Sequence, residues 1–442
     1  MRRPSALFAL VLALLGAAPA SAQRSPDNPY PWLGRPARPE PHYPDALLSA
    51  RELHHLPRVR RPAILDLRAA DRYARGHLPD ARRLDFAAPL AAALGAADPA
   101  AFARWLAAEG VAPNAPLLLY TDAPGRADLA RLAWALDWAG YPLPRILDGG
   151  VTAWAQRGGE LTEAVPKPPA PAEPPPPGAA RPELLATPGW ILAHLGEVTT
   201  CEILDLRGEA RWAGPAGHIP HALPYDILAQ LPADASWPQP PEARAAFARF
   251  GPRPRDTVDL AATFVLSGEN AADDRPFLAY LYFRLMDVPA AVQLGGWAAW
   301  AADPALPTTR VLDAAALRAA IAGDNPSLAD RPSPRLPLFD LRGLRDFRRA
   351  HLPGAVLLPA ELVDDSLAVR LARDWPELES ASDSLVVYCY GPDCVRSRVA
   401  ATKAATLGWR RVLVFQGGTA AWKAAGLPLY GGAARATSRT GS

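Results

Sequence analysis

LFDLRGLRDFRRAHLPGA, residues 338–355, decides how the rest of this chain is read. Apolar, β-prone Leu338 and Phe339 run into Asp340-Leu341-Arg342, and nine residues after that arginine comes His351-Leu-Pro-Gly-Ala. The same order stands twice more, as Ile64-Leu-Asp-Leu-Arg68 with His77-Leu-Pro-Asp-Ala, and as Ile203-Leu-Asp-Leu-Arg207 with His218-Ile-Pro-His-Ala. Each copy then closes on a glycine pair and a tryptophan: Gly149-Gly150 with Trp154, Gly295-Gly296 with Trp300, and Gly417-Gly418 with Trp422. Three marks in one order, three times, make an internal repeat, and a repeat governs domain organisation before any other argument.

Between the marks each copy carries a further apolar strand (116–120, 260–266, 385–388), an amphipathic helix (127–139, 276–286, 397–407) and a short strand leading into the glycine pair. Apolar strands alternating with helices imply an α/β fold: three tandem domains, each a mainly parallel sheet with helices on both faces. The expected domains are 45–162, 183–306 and 310–431. Between the first two lies 163–182, whose VPKPPAPAEPPPPGAARP can build no core and reads as a semi-rigid polyproline spacer. No such spacer separates the second and third, so those two are expected to pack together.

Residues 1–22 carry two arginines, an apolar run from Ala6 to Ala18 and small residues before Ala22, the three parts of a secretory signal cleaved near Ala22. That predicts a periplasmic or secreted protein with no membrane association after cleavage, because the run is shorter than the ~20 apolar residues a span needs. Residues 23–44 read as a proline-rich arm and 432–442 as a disordered tail. The 51 prolines suit long connections. With 47 basic and 45 acidic residues, formal net charge +2 and no sustained basic cluster, the chain is not expected to bind nucleic acid. Three cysteines in so long a chain make no disulfide framework.

Two of the three lie in VVYCYGPDCVRSR, residues 386–398. The run Leu385–Tyr388 ends at Cys389, a turn follows, and Arg396 onward reads as a helix start, which sets a thiol beside the N–H groups of a helix terminus and favours its thiolate. Cys394 admits three readings: a resolving thiol, the partner of Cys389 in a disulfide, or a bystander. A metal is not expected, since no second ligand pair lies nearby. Cys201 reads as a core residue.

These marks resemble the rhodanese homology domain, and the chain looks like a triple-domain member of the rhodanese or sulfurtransferase family. The third copy is the closest match, from FDLRGLRDFRRAHLPGAVLLPAE through VVYCYGPDCVRSRVAATKAATLGW to VFQGGTAAWKAAGLPL. The resemblance implies that Cys389 takes sulfane sulfur as a persulfide and passes it to a nucleophile, with no metal or organic cofactor. Arg396 and Arg398 would bind a small anionic donor such as thiosulfate. The N–H groups of Tyr390, Gly391, Asp393, Cys394 and Val395 would cradle the terminal sulfur, and the acceptor would be a thiol, a cyanide-like nucleophile or a protein sulfur or redox partner. The family commonly has an arginine five positions after the cysteine; here Arg396 is seven after. The matching position is Thr121 in the first copy and Leu266 or Ser267 in the second, so both should be silent. A second reading from another class is a non-catalytic or redox-relay binding protein using the Cys389/Cys394 pair. The three histidines and the Asp-Leu-Arg marks recur in copies lacking the cysteine, which assigns them to structure rather than to catalysis.

Overall fold

The computed structural model describes residues 46–197, 200–248, 262–322, 336–358, 363–380, 383–391 and 394–431. The expected signal, arm and tail, and Asp393, lie outside these residues. Among them no helix is long and apolar enough to cross a membrane.

Three parallel sheets flanked by helices make up the described chain. The first contains β1 (Leu47–Leu48), β2 (Ala63–Asp66), β3 (Arg82–Arg83), β4 (Leu117–Tyr120) and β5 (Arg145–Leu147), in the order β1-β5-β4-β2-β3. The second contains β6 (Cys201–Asp205), β7 (Leu223–Pro224), β8 (Thr263–Ser267) and β9 (Ala290–Gln293), in the order β7-β6-β8-β9, with a single bridge from Leu185 to Val292 on the β9 edge, where β1 stands in the first sheet. The third contains β10 (Thr308–Val311), β11 (Leu338–Asp340), β12 (Val356–Leu357), β13 (Ser384–Tyr388) and β14 (Arg411–Phe415), in the order β10-β14-β13-β11-β12. β4 and β8 are buried along their whole length, as an apolar run in a sheet covered on both faces must be.

The repeated marks form one polar spine per sheet. Arg68, Arg207 and Arg342 pair with Asp66, Asp205 and Asp340 at 2.6, 2.6 and 2.7 Å, and each guanidinium also donates to the carbonyl just before the histidine, of Gly76, Gly217 and Ala350. Nδ1 of His77, His218 and His351 donates to the carbonyl of Tyr73, Trp212 and Phe347, and each imidazole stacks on that same residue's ring. The tryptophans are buried, with each Nε1 donating to a carbonyl a few residues on, of Glu160, Pro307 and Pro428.

The reading of residues 163–182 as a spacer between the first two domains needs correction. The largest core joins the first and second sheets, where helix Arg126–Trp138 lies against helix Arg275–Leu285. Trp134 meets Phe277 edge-on at 5.2 Å, Arg131 covers Phe277 at 4.2 Å, and the Tyr280 hydroxyl donates to Asp137. The polyproline stretch holds nothing apart: it runs along the first domain, with Ala172 N–H donating to Ala107 and Arg181 N–H to Trp138. A spacer composition describes stiffness, and a stiff segment can serve as a strap. The second and third sheets do meet, through Ala405 in the second domain's core and through His221 beside Thr402. They also share a strand. His77 and His351 each bridge to the segment that closes their own domain, at Thr162 and Tyr430, whereas His218 bridges to Thr309, which lies in β10 of the third sheet. One stretch thus closes the second domain and opens the third.

Candidate active site

The registers Asp66↔Tyr120, Asp205↔Ser267 and Asp340↔Tyr388 align the three central strands. The position after each is Thr121, Gly268 and Cys389. This corrects the expectation for the second copy: neither Leu266 nor Ser267 corresponds to the cysteine, because Ser267 occupies the place of Tyr388. The glycine pairs agree. Gly150, Gly296 and Gly418 all have φ near +56° (56, 55 and 57°), and a Cβ on each would come within 2.0, 2.4 and 2.4 Å of the carbonyl oxygen of Thr121, Gly268 and Cys389. Only glycine permits that approach in that conformation.

Cys389 therefore leaves the carboxyl end of the central strand, where parallel α/β sheets place their ligand sites. It is 2% exposed and joined to Cys394 by a disulfide, with Cα atoms 6.4 Å apart. Cys394 is the residue before helix Val395–Thr406, so the pair holds the Cys389 sulfur at that helix's amino end, in the partial positive field of the terminus. One expected cradle group is already engaged: Cys394 N–H donates to the Gly391 carbonyl at 3.0 Å and closes the turn. Arg396 and Arg398 are half-buried on the first turn of the helix. The positive charge of Arg396 reaches Tyr390 and opposes the rise of its phenol.

Four residues that the sequence did not assign to the site, Asp346, Arg342, Tyr388 and Thr419, connect to the loop around Tyr390. Tyr390, 46% exposed, donates its hydroxyl to Asp346 at 2.5 Å, a bond that raises its phenol. Arg342 lies 5.8 Å from the Tyr388 ring and 5.9 Å from the Tyr390 ring, and donates to Thr419 Oγ1 at 3.2 Å. The Tyr388 hydroxyl donates to Asp340 at 2.6 Å, and its burial holds the phenol protonated. The structural Asp-Leu-Arg mark thus extends to the loop that carries the cysteine. Asp346 and Thr419 lie 44 and 29 residues from Tyr390, and no local pattern links them. Among the described residues no group of three or more His, Cys, Asp or Glu could hold a metal ion.

The sister loops are built differently. In the first, Arg126 stands five residues after Thr121, the place of Cys394, and turns outward to a segment of the second domain. It donates to the carbonyls of Pro232 and Ser236 at 2.7 and 3.0 Å, and Trp237 N–H donates to Asp148. That segment covers the first loop. In the second, Asp273 takes both Arg275 and the Glu269 N–H, so the loop is closed by its own residues.

A family model, Rhodanese-like domain, matches residues 49–157 and 322–425, which hold β2 to β5 of the first sheet and β11 to β14 of the third. A Pseudomonas aeruginosa protein named "Probable 3-mercaptopyruvate sulfurtransferase" is 30% identical over 261 residues, covering 53% of this chain and 84% of the relative. A thiosulfate sulfurtransferase of Azotobacter vinelandii is 28% identical over 282 residues, covering 61% of this chain and 95% of the relative. Among solved structures, the 3-mercaptopyruvate sulfotransferase SseA from Escherichia coli overlays with a TM-score of 0.44 at 24% identity, covering 57% of this chain and 98% of that one.

Proposed function

The chain belongs to the rhodanese-like sulfurtransferase family, and from that premise we propose that its third domain carries sulfane sulfur as a persulfide on Cys389. The observation that carries this reading is positional: of three superposable strand ends, only the third holds a thiol, and its sulfur sits at a helix amino terminus. There a thiolate is favoured as nucleophile and an anionic persulfide is stabilised. The donor would be a small anion, thiosulfate or 3-mercaptopyruvate by analogy with the relatives, drawn in by Arg396 and Arg398. The acceptor would be a thiol or a cyanide-like nucleophile. Residues 1–22 support an exported setting, which N-terminal sequencing of the mature protein would test.

The experiment is intact mass after reduction, desalting and exposure to each donor in turn. Cys394→Ser should gain the mass of one sulfur atom, and Cys389→Ser should gain none and lose all transfer to cyanide. A Cys389→Ser chain that still takes up sulfur ends the proposal. A second reading has its own observation, the Cys389–Cys394 disulfide: the loop exchanges disulfides with a partner and never carries sulfur. A stable disulfide with no sulfur uptake by any variant from either donor would favour it.

A further inference from the structure

The two readings meet in one cycle. The loop joins Cys389, 2% exposed just past the end of strand Ser384–Tyr388, to Cys394 just before helix Val395–Thr406, and the two sulfurs are bonded between that strand and that helix. The corresponding pair in the first copy is Thr121 and Arg126, and there the second side chain turns away from the loop to the neighbouring domain. In the third copy the same position carries a thiol, directed inward.

We propose that Cys394 is the resolving thiol of the third domain, attacking Sγ of a Cys389 persulfide so that the Cys389–Cys394 bond forms and the outer sulfur leaves as hydrosulfide. This rests on the persulfide reading above. Cys394 reaches the inner sulfur atom in the observed loop geometry, so that is the atom attacked. The steps balance. The Cys389 thiolate takes the outer sulfur of thiosulfate and releases sulfite. The Cys394 thiol gives its proton to the persulfide, and the resulting thiolate displaces the outer sulfur, which departs as hydrosulfide with that proton and the electron pair of the broken sulfur–sulfur bond. A dithiol reductant reopens the disulfide by thiol–disulfide exchange and is itself oxidised to a disulfide. The sum is thiosulfate plus dithiol giving sulfite, sulfide and oxidised dithiol. The natural acceptor is accordingly a protein or small-molecule dithiol, and the disulfide-bonded chain is the state that waits for it, with the nucleophile closed to further donor.

The test is a single turnover of the full chain. Protein reduced with a dithiol is desalted, given one addition of thiosulfate without reductant, and followed for sulfite, sulfide and intact mass. The wild type should release sulfite and sulfide in equal amounts, hold no lasting persulfide, and finish lighter than the reduced chain by two hydrogens, with the bond mapped to Cys389 and Cys394. Cys394→Ser should release sulfite without sulfide and keep one extra sulfur, which also shows that its loop is folded. Cys394→Ala should do the same. A wild type that retains its persulfide as long as Cys394→Ser overturns the resolving role while leaving sulfur transfer standing. A Cys394→Ser chain that gains no sulfur from thiosulfate or from 3-mercaptopyruvate overturns the persulfide reading, and this inference with it.

Discussion

A histidine recurs at the same place in each copy, buried in the first two and half-buried in the third, and His218 shows why the buried one cannot act as a catalytic base there. It is sealed between the Trp212 ring and the chain it bridges, and burial pulls its imidazole down to about 4, only partly offset by the Trp212 carbonyl and Asp205. An unfolded histidine titrates near 6.5, so between about pH 6.5 and 4 the unfolded chain binds a proton that the folded chain refuses. Stability therefore rises with pH across that window and is lost as pH falls through it, by about 3 kcal/mol. The thermal midpoint should drop on acidification over this range, and His218→Gln should flatten the drop. An equally steep profile in the variant would remove His218 as its cause. The Asp340–Arg342 pair is equally enclosed, but its role is geometric: hydrogen-bonded to Tyr388 and stacked toward Tyr390, it fixes both ends of the strand end that bears Cys389.

At the level of elements, the meeting of the glycine-pair helix with the central strand sets the loop. The helix beginning at Gly418 packs so closely on the Cys389 and Tyr390 carbonyls that a methyl group must displace them. Gly418→Ala should cost about 1–3 kcal/mol in strain at a positive φ and also shift the cysteine loop, removing most sulfur uptake. Gly150→Ala makes the same clash with Thr121 in a loop without a thiol. Its unfolding midpoint should fall by a similar amount while uptake at Cys389 persists. If both variants lose uptake equally, the first domain is coupled to the reaction in a way its geometry does not suggest. The contrast among the three loops is one of covering: in the first by residues 232–237, in the second by Asp273, and in the third by a covalent bond that reduction can open.

At the level of the whole molecule, the first two domains form a pair around one core, and the third is attached by a shared strand. Thr309 serves both neighbours, exchanging backbone hydrogen bonds with His218 while its strand pairs with β14. A chain ending at residue 307 should therefore unfold at a lower temperature than one ending at 312, because the longer one retains the His218 bridge. Two lost backbone bonds correspond to about 1–3 kcal/mol, read as a difference in melting midpoint. Equal midpoints would show that the second domain closes without help.

Much of this was legible in the residues. The triple Asp-Leu-Arg, His-Leu/Ile-Pro and Gly-Gly marks identify three α/β domains and single out Cys389, because backbone direction, side-chain period and glycine conformation are local properties. The fold class and the family follow from such marks alone. Tertiary structure decided everything that depends on residues far apart in the chain. It aligned Gly268 rather than Ser267 with the cysteine, since register is set by pairing across strands. It laid the polyproline stretch on the first domain and paired the first domain with the second, since packing follows the shape and apolar area of whole helix faces. It also brought Cys394 onto Cys389, a contact that spacing permits but only the loop's closure between a strand end and a helix start enforces.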